Sequence, residues 1–452
     1  MIRQFLFTLI LAGMVLVQVQ AQPEGQYTGH IEIMGQQIDI ETRFQSNGSD
    51  YEGMLSIPAQ GAHNLKMNTI QFNDPAISFR VDTVTSHLEF DGKYFAEGDS
   101  LAGTFRQSGF EGTFLLKHKE KEASVDWIQK EVAFYNDTIK LAGTLSLPDQ
   151  NGKYPAVILL SGSGQQTRDE NVMGFKIFKQ LEEYFISRNI AVLRYDDRGA
   201  GKSDNGNVAE ATSEDLAGDA LAAYQYLKTS PYIYTDNIGM MGHSEGSLLA
   251  NMVAQKANVA FVVMMAGPVM PGHKLLMEQS RSIMQAEGQS KETIKNNLQT
   301  NQAIYQEVMK ENTNHQKIEN LLRESFSQAD SAQREQMISQ QMQFLAQPWL
   351  EFFLQYDPAK PITSANYPIL AVFGGKDTQV PEKPNMKELK KIMQNNPGLK
   401  IDTLVFDDAN HLFQKADSGS PSEYSKLDKA FIGGFKEQVA DWILKEVVSD
   451  EQ

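Results

Sequence analysis

The sequence predicts an α/β fold: a mostly parallel sheet covered by helices on both faces, carrying a helical cap insertion and preceded by a small antiparallel β domain. Three observations predict it. The hydrophobic pattern has period two up to about Lys119, short apolar runs then alternate with amphipathic stretches, and that alternation stops between Pro271 and Pro361. Hydrophobic residues make up 41% of the 452 residues and charged residues 22%, enough apolar material to bury cores and inconsistent with global disorder. The formal charge is −16, from 41 Lys and Arg against 57 Asp and Glu, so the chain repels polyanions and no nucleic-acid partner is expected. Cysteine is absent, which excludes disulfides, thiolate nucleophiles and Cys-ligated metals.

Residues 1–21 read as an export signal. Met1-Ile2-Arg3 is a positive start, Phe5 to Val17 is an apolar run shorter than the roughly 20 residues a bilayer requires, and Val19-Gln20-Ala21 offers small residues for cleavage. The expectation is an exported protein, periplasmic or secreted, with no membrane span in the mature chain. Residues 22–122 form the β domain, with runs such as His30–Ile33, Ser78–Val81, His87–Phe90 and Gly112–Leu116 separated by turn pairs such as Asn47-Gly48 and Asp91-Gly92. Its period cannot reveal a ligand; an open barrel holding a small molecule is the lesser reading, and a domain that packs on its neighbour and covers one side of a site is the favoured one. The charged stretch Lys117–Glu122 marks the boundary.

Residues 123–452 carry the α/β rhythm. A hairpin over Glu131–Tyr135 and Leu141–Leu147 leads into strands at Ala156–Leu160, Ala191–Tyr195, Ile238–Met241, Ala260–Met265, Ile369–Phe373 and Asp402–Phe406. Helical patterns at Phe175–Ile186 and Asp215–Leu227 lie between them. The cap, at about 271–361, has apolar residues at helical spacing, among them Ile294, Leu298, Ile318, Leu322, Ile338 and Leu345, which read as its own core. Its last stripe, Trp349, Phe352, Phe353 and Tyr356, is placed to line an acyl pocket.

Ligands in such sheets bind beyond the carboxyl ends of the strands. There, Gly242-His243-Ser244-Glu245-Gly246 follows the run Ile238–Met241 and opens an apolar-faced helix, the strand–turn–helix setting in which GxSxG presents a nucleophilic hydroxyl. Serine needs a base, and His411, after the last strand, is the best placed; Asp377, just beyond Ile369–Phe373, is the orienting carboxylate. Asp407 and Asp408 are rivals that read as solvated. The order Ser244, Asp377, His411 is that of an α/β-hydrolase. The N–H groups of Ser163 and Glu245 are the expected oxyanion donors, with Gly164 the alternative to Ser163. Gly199-Ala200-Gly201-Lys202-Ser203 imitates the end of a phosphate-binding loop, but Asp196 stands where a P-loop requires glycine, so nucleotide binding is rejected. Asp196-Asp197-Arg198 reads instead as a turn whose charges organise the surrounding loops; a glycosidase pair from Asp196 and Asp197 is a minor alternative, because adjacent residues in an extended turn point apart.

From Glu131 onward, the stretches Ser161-Gly162-Ser163-Gly164, Arg168-Asp169-Glu170, Arg194–Gly199, Gly242–Gly246, Ala266-Gly267-Pro268, Tyr356-Asp357-Pro358 and Asn410–Phe413 resemble those of bacterial exported α/β-hydrolases of the serine-aminopeptidase-like or BAAT/acyl-CoA-thioesterase-like kind. The likeness extends to Ser56–Gly61 and Ala102–Phe105 of the β domain. It implies a triad on Ser244, Asp377 and His411 and carboxylesterase activity on short acyl chains. Gln165 departs from the proline common after the Ser-Gly-Ser-Gly turn. The expected function is therefore cofactor-free cleavage of a small-molecule carboxylic ester through an acyl-enzyme. An aminopeptidase or amidase on the same triad, in which Glu245 would bind a free amine, and a non-catalytic exported binding protein are the alternatives. Oligomeric state has no signal in the sequence.

Overall fold

The computed structural model describes residues 23–33, 36–47, 50–57, 62–82, 87–107, 109–118 and 127–448. The expected export signal at 1–21 and most of the charged boundary lie outside the described residues. The chain divides into two compact units, Met1–Ser124 and Val125–Gln452.

The first unit is one nine-stranded antiparallel sheet. Its strands are β1 (Gly25–Ile33), β2 (Gln36–Asn47), β3 (Asp50–Ile57), β4 (Ala62–Lys66), β5 (Thr69–Asn73), β6 (Ala76–Asp82), β7 (His87–Phe95), β8 (Ser100–Gln107) and β9 (Phe110–His118). Consecutive strands pair as hairpins except β4 and β5, which form the two edges of the sheet, and β1 pairs with β9 in its middle. Period two sends alternate residues inward: in β6 Ile77, Phe79 and Val81 are buried and their neighbours are not. The inner face is filled by packed rings, with Phe79 stacked on Phe90 at 4.4 Å and edge-on to Phe44 and Phe114 at 5.3 and 5.9 Å. Among the described residues this face carries a packed side-chain core.

The second unit is an eight-stranded sheet with helices on both faces. After the hairpin β10 (Ile128–Asn136) and β11 (Ile139–Leu147) come β12 (Tyr154–Leu160), a small hairpin of β13 (Asn171–Val172) and β14 (Phe175–Lys176), α1 (Ile177–Ser187), β15 (Ala191–Tyr195), α2 (Ser213–Lys228), β16 (Ile233–His243), α3 (Gly246–Ala254) and β17 (Val262–Met265). Six helices follow: α4 (Gly272–Ala286), α5 (Lys291–Val308), α6 (His315–Ser325), α7 (Ser331–Leu345), α8 (Pro348–Gln355) and α9 (Ala359–Thr363). The chain closes with β18 (Ile369–Gly374), α10 (Glu382–Asn395), β19 (Ile401–Phe406) and α11 (Phe435–Val448).

The strand order is β10-β11-β15-β12-β16-β17-β18-β19, parallel from β15 onward. The near-continuous apolar runs of the sequence are explained by burial on both faces. In β12, Ala156, Ile158 and Leu160 enter one core with α2 and α10, while Val157 and Leu159 enter the other with α1 and α11. This is the α/β-hydrolase arrangement. The cap helices pack on a core of their own, including Ile304, Val308, Ile318, Leu322, Ile338 and Leu350. Among the described residues, no helix is long and apolar enough to cross a membrane.

Candidate active site

β16 runs straight into the elbow. Ser244 has φ of 53°, a left-handed conformation that a non-glycine residue adopts only when its surroundings hold it there. They do so on both sides: the Ser244 N–H donates to Met265 O of β17 at 2.8 Å, and its carbonyl accepts from Ser247 N–H at 3.0 Å. The flanking glycines are obligatory for packing. A Cβ on Gly242 would stand 2.0 Å from the carbonyl carbon of Gly246, and one on Gly246 would stand 2.1 Å from Leu160 O. Ser244 is half-buried, with Gly162 of the neighbouring loop against its Cβ.

Asp377 and His411 are brought together. The Nδ1 of His411 lies 2.8 Å from Asp377 Oδ2, and both residues are buried. The other carboxylate oxygen of Asp377 accepts from the N–H groups of Gln379 and Val380 at 2.7 and 2.8 Å, so the carboxylate is held from both ends. A carboxylate on Nδ1 places the hydrogen there and leaves Nε2 with a free lone pair, the tautomer a general base requires. His411 is carried by a tight loop in which Asn410 Oδ1 accepts from Leu412 and Gln414 N–H, each at 2.9 Å. Among the described residues, no hydrogen bond joins Ser244 Oγ to His411. The rival Asp408 is exposed and paired with Lys376 at 2.9 Å, and Asp407 is exposed as well.

The glycine-rich loop after β12 borders the serine. Gly162 N–H is occupied by Glu170 Oε1 at 2.8 Å. Among the described residues the N–H groups of Ser163, Gly164 and Glu245 donate to no protein acceptor. They border a cavity of about 610 Å³, roofed by Phe344 and Trp349 of the cap. Of the four aromatics expected to line an acyl pocket, Trp349 faces this cavity, Phe352 and Tyr356 face a separate one, and Phe353 belongs to the core. The side chain of Glu245 does not cap its own helix. Its Oε1 accepts from Ser213 Oγ at 2.5 Å and Trp349 Nε1 at 2.7 Å, while Oε2 is buried with no partner among the described residues.

The Asp196–Arg198 turn organises the loops as its composition predicts. Asp196 takes the Arg168 guanidinium on both oxygens, at 3.1 and 2.8 Å, and the Lys202 N–H at 2.9 Å. The imitation phosphate loop therefore wraps the chain's own carboxylate. Asp197 instead holds Ser161 Oγ at 2.7 Å and Gln166 N–H at 3.0 Å, and Arg198 pairs with buried Asp219 at 2.7 Å. Sequence reasoning missed three links at the site, from Ser213 and from Trp349 to Glu245, and from Glu170 to His243. Each joins positions far apart in the chain, and no local spacing announces it.

Residues 174–413, more than half of the chain, match the profile of a family described as serine aminopeptidase, S33. The chain belongs to that family. The S33 match contains Ser244, Asp377 and His411 but begins after the Ser161–Gly164 loop. Esterase EstD of Thermotoga maritima is 28% identical over 367 residues, covering 79% of this chain and 78% of its own. Among solved structures, the Pyrococcus furiosus esterase Pf2001 is 16% identical, with 72% of this chain and 92% of that one covered and a TM-score of 0.44. Est1E from Butyrivibrio proteoclasticus, solved with ferulic acid, is 16% identical over 70% of this chain and 98% of its own, with a TM-score of 0.40.

Proposed function

We propose that this S33-family protein is a serine carboxylesterase for small esters with short acyl chains. The observation that carries the reading is the buried pairing of His411 Nδ1 with Asp377 Oδ2 at 2.8 Å, at the same strand ends as the strained Ser244. His411 Nε2 takes the proton from Ser244 Oγ as it attacks the ester carbonyl, and Asp377 steadies the imidazolium. The N–H groups of Ser163 and Glu245 receive the oxyanion, each worth about 3 kcal/mol of transition-state stabilisation. The alcohol leaves with the proton from His411, and water, activated by the same ring, releases the acid and restores Ser244. A cavity of about 610 Å³ lined in part by Ser163, Glu245, Phe344 and Trp349 offers room for a small ester. The esterase name of the Thermotoga maritima relative points the same way.

The test is a series of acyl esters of increasing chain length on purified protein, run beside Ser244→Ala. The variant is expected to lose roughly 10⁴-fold or more in kcat with an unchanged melting temperature, and turnover at the wild-type rate would refute the assignment. A fluorophosphonate probe that fails to label the wild-type protein would favour an idle, ligand-binding chain. A second reading, an aminopeptidase or amidase, is favoured by the aminopeptidase description of the matched family and by the presence of a carboxylate residue, Glu245, in the cavity lining. An aminoacyl anilide turned over faster than an acyl ester would select it. Residues 1–21 place the enzyme outside the cytoplasm in this reading; recovery from the cell envelope or medium of a chain beginning near Gln22 tests that.

A further inference from the structure

His243, between Gly242 and the nucleophile position, is 3% exposed and uses both ring nitrogens. Nε2 lies 3.1 Å from the main-chain oxygen of His411, and Nδ1 lies 2.7 Å from Glu170 Oε1. A carbonyl oxygen only accepts, so Nε2 carries a hydrogen. The same Glu170 oxygen accepts the Gly162 N–H at 2.8 Å, which suits a carboxylate oxygen receiving two donors far better than a hydroxyl giving one away. Nδ1 then carries a hydrogen too, and the ring is an imidazolium within a buried ion pair. The groups that face it are Glu170, Asp377 and the His411 ring, whose centroid is 4.8 Å away. Burial opposes the charge, yet the attraction and hydrogen bond of Glu170 prevail and raise the affinity of His243 for its proton.

Three loops meet at this pair. Glu170 holds the oxyanion loop through Gly162 N–H, His243 is itself part of the elbow, and its Nε2–H holds the loop of the base through the carbonyl of His411. We propose that Glu170 and His243 are positioning residues, an imidazolium–carboxylate clamp that fixes the oxyanion loop, the nucleophile and the base in one mutual geometry. The proposal rests on the Ser244–His411–Asp377 reading and adds to it a reason why the residue before the nucleophile is a histidine. Neither side chain touches substrate. Their effect is on alignment, where displacement of about 1 Å costs roughly 10²-fold in rate.

The test compares Glu170→Gln, Glu170→Ala and His243→Gln with the wild type, and with Ser244→Ala as the check on the underlying triad. Glu170→Gln keeps an acceptor for Gly162 but not the charge, and Glu170→Ala keeps neither. Expected is a graded fall in kcat, roughly 10-fold for the first and 10²-fold for the second, with KM within a few-fold of wild type. In His243→Gln the loss of a positive neighbour should move the acid limb of the kcat/KM profile to higher pH by about half a unit or more. If Ser244→Ala abolishes turnover while the Glu170 and His243 variants keep the wild-type kcat and acid limb, the clamp is refuted and the triad stands. If Ser244→Ala keeps turnover, the triad reading itself fails. For variants that do not fold, the wild-type protein decides: nitrogen-15 NMR on histidine-labelled protein should find one buried ring with both nitrogens protonated near pH 8. A spectrum with no such ring overturns the proposal.

Discussion

Asp197 is a carboxyl group whose ionisation the fold resists. Burial pushes it up to about 7, against the hydrogen bonds from Ser161 and Gln166 that favour the charged form, and the charges of Glu170 and Asp219 push it further. The unfolded chain releases this proton near 3.8 and the folded chain near 7, so between those values the native state binds the extra proton. Stability contributed by this group therefore falls as pH rises through that window and is constant above it. Asp197→Asn removes the dependence: its melting temperature should gain on the wild type as pH is raised from about 4 to about 8. Parallel curves would mean that Asp197 ionises freely. The sequence singled out Ser244 through its glycines and His411 and Asp377 through their strand-end positions, and the fold brings the last two within 2.8 Å of each other. Glu170, Ser213 and Trp349 were invisible because their roles arise from pairings over long chain separations.

At the scale of elements, the elbow depends on the fit between β12 and α3. Gly246→Ala drives a methyl group into the Leu160 carbonyl, and the overpacking should cost about 1–3 kcal/mol or more in urea unfolding. Ester turnover should fall further than the lost stability explains, since Ser244 shifts with the helix. β15 depends on a buried charge. Arg194 pairs with Glu182 of α1 at 2.6 Å, and that carboxylate also accepts from Ser146 and Lys179. Arg194→Met leaves Glu182 short of its main partner inside the core, which should cost about 3–5 kcal/mol, readable as a drop in the urea midpoint. Each predicted strand of the sheet is present; the inner strands β12, β15, β17 and β18 are buried on both faces and read as near-continuous apolar runs, while the edge strands β10 and β19 are partly exposed. The ends moved by a few residues: β16 starts at Ile233, earlier than its apolar run, and β17 at Val262, later than predicted. Ends are set by pairing with neighbouring strands, which one strand's own residues do not encode.

Over the whole molecule, the hydrophobic residues are divided into separate cores. Phe90 and its neighbours belong wholly to the first unit, and the two cores flanking β12 belong wholly to the second. Phe90→Ala should cost about 3–5 kcal/mol, and the loss should fall on the first unit. Hydrogen exchange should quicken across β6 to β9 while β12, β16 and β18 keep their protection; equal loss in both sheets would contradict separate cores. The period-two pattern disclosed that sheet, but not which of its aromatic rings pack on one another, since such contacts join separate strands.

The cap has a consequence for diversification. It leaves the sheet after β17 and returns at β18, and those strands pair directly, Met265 opposite Val372. Everything between is a detour that the register does not feel. The roof over the pocket is in effect an exchangeable cassette: a different helical segment spliced between the same two strands would recut substrate selectivity while the bond-breaking floor beneath kept its shape.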